Sequence, residues 1–97
     1  KNLTNRVDVA DQGSQEYHSN VSKLAAEQVS LQPVLEREYN GYAINLRKSE
    51  FPRAKKLIRE FIKDFSRKVE ASPQEGEETY QLNVQFFGLT KESKGTK

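Results

Sequence analysis

Cysteine is missing from this 97-residue chain, and so is methionine. Without thiols there is no disulfide scaffold and no thiolate zinc site, and the composition fits a reducing cytoplasm. Without methionine, Lys1 cannot be a natural translation start. The sequence therefore reads as an excised fragment, with residues 1–13 as the end of a linker from an upstream domain. Apolar residues are scarce, at 34% against 31% charged, where globular chains carry roughly 45–50% counting Gly. No apolar run approaches the roughly 18–20 residues that span a bilayer, and no signal peptide is visible, so no membrane partner is expected. A phosphate loop is also absent, because the glycines at 13, 41, 76, 88 and 95 are scattered and form no G-x-G-x-x-G or Walker pattern. His18 is the only histidine, with no cysteine and only Glu16 close by. It reads as a packing or surface residue. A metal needs several ligands at helical or hairpin spacing, and a general base needs an orienting partner. No metal, no cofactor and no catalytic residue is therefore expected.

What the chain does have is periodicity. Tyr17, Val21, Leu24 and Ala25 recur at spacings of three and four, predicting a helix from Ser14, which can cap it, to about Leu31, with Pro33 ending it. Gln28 interrupts that stripe. A second helix opens at Ser49 with Pro52 in its first turn, and Phe51, Ala54, Ile58, Phe61, Phe65 and Val69 form its apolar face, widened by Leu57 and Ile62. Ser72-Pro73-Gln74-Glu75-Gly76 breaks it. Two segments alternate instead. Tyr42, Ile44 and Leu46 fall on one side of residues 41–47, and Tyr80, Leu82, Val84 and Phe86 on one side of the closing stretch, with Gln81, Asn83 and Gln85 on the other. Side chains of a strand switch face at every residue, so both segments read as strands with one apolar face.

The expected fold is thus α+β, in the order helix, strand, helix, strand, as a two-layer sandwich. Two strands make a poor sheet, and a chain this size buries only about 60–65% of its extended surface. A second copy completing the sheet is the preferred remedy, which makes the expected partner a homodimer. The domain is expected over residues 14–91, followed by a disordered polar tail at 92–97. Phe61 and Phe65 are expected to be buried against Tyr80, Leu82, Val84 or Phe86.

Charge is uneven under a net +2. From Arg47 to Lys68 there are nine basic and three acidic residues, while Glu70–Glu78 holds four acids and no base. Lys55, Arg59, Lys63 and Arg67 recur every four residues and so stack along one line of the second helix. Glu60 and Asp64 lie beside that line and can pair with Lys56, Lys63, Arg67 and Lys68. The line reads either as a solvated outer face or as a surface for an anionic partner. Gln81, Asn83 and Gln85 read either as a solvent-facing row or as a hydrogen-bonding partner surface. No aromatics interleave with the basic residues, which argues against stacking on single strands.

Several of these phrases together resemble a known family. Tyr17-His18 opening a helix, Leu24-Ala25 within it, Arg37-Glu38 before the first strand, Phe51 entering the long helix and above all the closing Tyr80-Gln81-Leu82-Asn83-Val84-Gln85 ending in Leu89-Thr90 are its marks. The resemblance is to a C-terminal domain of unknown function in bacterial proteins taken for transcriptional regulators. That family usually shows Pro where this chain has Gly88, a departure that loosens the end of the strand. The resemblance implies a DNA-binding segment upstream in the same chain and a non-enzymatic regulatory or dimerisation role. It carries no ligand or catalytic residue onto this sequence. A small-molecule or nucleotide sensor, and nucleic-acid binding through the basic helix, are the alternatives.

Overall fold

The computed structural model describes the backbone of residues 3–90 and the side chains of residues 11–90. The element order is α1 (Leu3–Gln28), a 3-10 turn at Val34–Glu36, a second at Lys48–Glu50, and α2 (Phe51–Val69). No strand occurs among the described residues, so the α+β sandwich and its dimer-completed sheet are overturned. Period-two alternation fixes which side chains share a face, but a sheet also requires a backbone ladder. Neither 41–47 nor the stretch from Tyr80 finds one. The expected tail at 92–97 lies outside the described residues.

α1 begins well before the Ser14 cap anticipated from sequence, and Ser14 sits in its interior. The segment ahead of it holds no proline, and its poorest helix former, Gly13, costs about 1 kcal/mol. Gln15 Nε2 donates to Asp11 Oδ2 at 2.7 Å and so bridges the turn that contains the glycine. At the other end Gln28 marks the stop. Its carbonyl accepts the amides of both Leu31 and Gln32, at 3.1 and 3.0 Å, and its side-chain oxygen accepts from Gln32 Nε2 at 2.9 Å. The polar break in the apolar stripe is thus the helix end.

α2 follows its sequence signals closely. Pro52 occupies the first turn, where a missing N–H costs little. Glu50 rather than Ser49 is the capping residue, and it makes no side-chain cap bond. Val69 ends the helix, and the Glu70 amide closes the last turn on the Ser66 carbonyl at 2.9 Å. The Ser72 carbonyl then accepts from Glu75 and Gly76, both at 3.0 Å, forming the expected turn.

The described chain divides into two units. One joins the residues up to Tyr39 with those from Gln81 onward, and the other is Asn40–Tyr80. In the first unit Val21, Ser22, Ala25 and Gln28 of α1 are half-buried, as are Arg37, Asn83 and Phe86. In the second only Glu50, Ala54, Ile58 and Asp64 are half-buried. No described side chain is fully buried. Phe61 and Phe65 are 53% and 41% exposed, so the expected burial of this pair is not found.

Candidate functional site

Two arrangements stand out, one in each unit. In the first, the alternating amides from the closing stretch meet α1. Gln81 Nε2 donates to Tyr17 Oη at 3.1 Å and to Asn83 Oδ1 at 2.9 Å. Asn83 Nδ2 donates to the Val21 carbonyl at 2.9 Å. Gln85 Nε2 donates to Ser22 Oγ, whose own proton goes to the His18 carbonyl at 2.7 Å. Alternate residues of an extended chain advance about 6.6 Å and a helical turn rises 5.4 Å, which is how such a row can follow one helix. The same helix holds the connection that leaves it. Tyr39 Oη donates to the Ala25 carbonyl at 2.6 Å, which also accepts the Val29 amide at 3.2 Å. Arg37 Nε donates to the Gln32 carbonyl at 2.9 Å, with its guanidinium 5.4 Å from the centre of the Tyr39 ring. Gln81, Asn83 and Gln85 therefore serve the chain's own structure. Tyr39 carried no periodic signal in the sequence; Arg37 was marked only as half of an Arg-acid pair.

The second arrangement is α2 itself. Its residues are strongly segregated by face, because Phe51, Ala54, Ile58, Phe61 and Phe65 recur at spacings of three and four. Phe61 and Phe65 lie side by side with ring centres 5.7 Å apart. Leu57, Ile62 and Val69 extend the same surface at 51%, 38% and 62% exposure. An isolated exposed Leu is ordinary, whereas a contiguous apolar stripe rimmed by charge marks an interaction surface.

The rim is largely paired. Arg53 reaches Glu50 at 2.7 Å, Lys56 reaches Glu60 at 3.8 Å, and Asp64 takes both Arg67 at 2.7 Å and Lys68 at 2.9 Å. The basic partners are well exposed and the half-buried Glu50 and Asp64 keep 46% and 44% of their side chains in solvent, so each pair contributes roughly 0–1 kcal/mol. Lys55 Nζ sits 5.8 Å from the centre of the Phe51 ring. In the line singled out from sequence, Arg67 shares Asp64 with Lys68, Lys55 caps an aromatic, and neither Arg59 nor Lys63 forms an ion pair with a described residue. Of the four bases anticipated as partners of Glu60 and Asp64, Lys56, Arg67 and Lys68 are taken and Lys63 is not.

A hollow of about 510 Å³ lies along α2, lined by Leu57, Glu60, Phe61, Lys63, Asp64 and Arg67. One helix supplies every wall. Small-molecule sites are concave and bury most of their ligand, which a single helix cannot do. No group of three or more His, Asp or Glu side chains gathers to hold a metal ion among the described residues. His18 stands edge-on to Tyr17 with ring centres 5.2 Å apart. No described helix is long and apolar enough to cross a membrane.

Comparison with known proteins gives one family. A model described as "Domain of unknown function (DUF4423)" matches residues 1–89. No curated protein and no solved structure matches the chain.

Proposed function

We propose that this chain, which belongs to the DUF4423 family, is a non-enzymatic regulatory module that self-associates as a homodimer. On this reading it is the C-terminal part of a cytoplasmic bacterial transcriptional regulator whose DNA-binding segment lies upstream. The observation that carries the reading is the apolar face of α2, where Phe51, Phe61 and Phe65 are 40%, 53% and 41% exposed in the single chain. Fully burying such a side chain is worth about 1.5–3 kcal/mol, and these half-exposed rings still forgo about half of that each, so a face of this length favours a partner. Symmetric pairing with a second copy is the commonest form that takes. The regulator setting rests on the resemblance of the closing Tyr80–Gln85 phrase and of the helical marks that accompany it.

Light scattering on a size-exclusion column tests the proposal. The chain should elute at twice its 11.2 kDa mass, and Phe61→Asp should return it to the monomer. Because the Phe61 side chain is half exposed, that change should leave the helix content of the chain in place. A wild-type monomer throughout the micromolar range would refute the reading.

The sensor alternative has little to stand on, since the hollow on α2 has walls from one helix only. Nucleic-acid binding has one observation in its favour: Arg59 and Lys63 form no ion pair with a described residue. Glu60 and Asp64 beside them would repel the same phosphates.

A further inference from the structure

The face of α2 carries a finer pattern than an apolar stripe. Written as a heptad, Phe51, Ile58 and Phe65 take one seam position, and Ala54, Phe61 and Lys68 take the other. Glu50, Leu57 and Asp64 flank one side, while Lys55, Ile62 and Val69 flank the other. Two seam positions are unusual: a small Ala54 and a charged Lys68. Both constrain how a second helix can lie on the first.

In a parallel pair each seam residue meets its own copy. Ala54 would face Ala54 between layers of Phe51 and Ile58, leaving a gap where neighbouring layers hold the helices apart. Lys68 would face Lys68 inside the seam. A parallel pair would gain a Glu50–Lys55 contact on each side, but an exposed pair is worth at most about 1 kcal/mol. That does not offset two like charges brought together in the seam.

In an antiparallel pair the two kinds of seam position meet each other, with the two-fold axis between Arg59 and Glu60. Ala54 then faces Phe65, small against large, and Ile58 faces Phe61, so the volumes interleave. Lys68 faces Phe51, and its aliphatic stem can lie on the ring while its ammonium stays in water. That ammonium already rests on Asp64 of its own helix at 2.9 Å. The sides that carry Glu50, Leu57 and Asp64 face each other in this orientation, which brings Glu50 of one copy beside the seam residue Lys68 of the other, and Arg53, on the outer edge of that side, near Asp64. Both are opposite-charge neighbours, and the helix dipoles also oppose. On the other flank the two Arg59 side chains meet near the axis, but on the outer edge, where solvent screens them.

We infer that a second copy of this chain docks on α2 in antiparallel register, with Ala54 against Phe65, Ile58 against Phe61 and Glu50 beside Lys68. This rests on the self-association proposed above and adds its geometry.

Two spin-labelled variants distinguish the orientations, Arg59→Cys and Arg67→Cys, both at exposed positions off the seam. With a rise of 1.5 Å per residue, the antiparallel register separates the two labels along the axis by about 1.5 Å at position 59 and about 22 Å at position 67. A parallel register gives no axial separation at either. Pulsed electron resonance on each variant at high micromolar concentration should therefore return a clearly longer distance at 67 than at 59. Light scattering on the same labelled samples reports their mass. A dimer whose two distances agree would overturn the antiparallel register and leave self-association standing. A monomer would overturn both and assign the stripe to a different partner.

Discussion

Asn83→Asp isolates one hydrogen bond with almost no change of shape. Asn83 Nδ2 donates to the Val21 carbonyl at 2.9 Å, while Asn83 Oδ1 accepts from Gln81. The acid keeps the acceptor and loses the donor. Losing one such bond costs about 0.5–1.5 kcal/mol. A carboxylate oxygen aimed at a carbonyl oxygen adds repulsion, limited here because the side chain is only half-buried. The total should reach about 1–2 kcal/mol, which lowers the melting temperature of a domain this size by about 4–15 °C. The loss should also depend on pH in a defined direction. When protonated, the new acid can donate its O–H to Val21; when ionised it cannot. Its pKa in the folded chain therefore lies above the unfolded value of about 3.9. Stability held by the protonated form is present at low pH and disappears as pH rises through that raised value. Thermal unfolding of wild type and variant side by side should show a small gap in acid and the full gap at neutral pH. A variant that melts with the wild type at neutral pH would show that the Asn83–Val21 bond does not hold the closing stretch to α1.

Other substitutions test the remaining structure. Gly13→Ala should stabilise α1 by about 1 kcal/mol and raise the far-ultraviolet helix signal, because no atom lies within 4 Å of the added Cβ and the backbone there has no positive φ; an unchanged or weaker signal would place Gly13 outside a helix. Tyr39→Phe deletes the donation to Ala25 and should cost about 1 kcal/mol or less in urea unfolding, while an unchanged midpoint would leave the connection held by other contacts. Duplex DNA should give a flat anisotropy titration with this chain at about physiological ionic strength; sub-micromolar binding that collapses in Arg59→Glu/Lys63→Glu would instead promote the basic line to a nucleic-acid surface.

α2 was readable from sequence because independent signals agree there: Pro52 at its start, three phenylalanines in helical register, and the Ser72–Gly76 turn at its end. α1 was readable only where it carried an apolar stripe. Residues ahead of Ser14 hold Val7 and Val9 at a spacing that suggests a strand, and a helix continuing through polar residues leaves no periodic trace. The alternation at 80–86 set Gln81, Asn83 and Gln85 apart as one row, but the apolar side expected to be buried is largely exposed, with Tyr80 at 79%. It could not tell that the amides would turn to Tyr17, Val21 and Ser22 of a helix some sixty residues earlier. Period two reports which residues share a side; the partner on that side depends on contacts distant in sequence. The basic line was visible as a spacing, but its partial pairing depended on rotamers: Asp64 takes Arg67 and Lys68 but not Lys63.

The clasp between α1 and the closing amides has a consequence for how the chain is made. The unit it closes is discontinuous, interrupted by the whole of Asn40–Tyr80. Tyr17, Val21 and Ser22 leave the ribosome long before Gln81, Asn83 and Gln85 do, so the helix must wait for its second half. α2 lies entirely inside the interruption and can form in the interval. Closing a loop of that length costs about 3 kcal/mol in chain entropy, more than any one of the amide bonds returns. The clasp can therefore close only when several of its bonds form together, so a chain ending short of residue 81 would carry an unclasped α1.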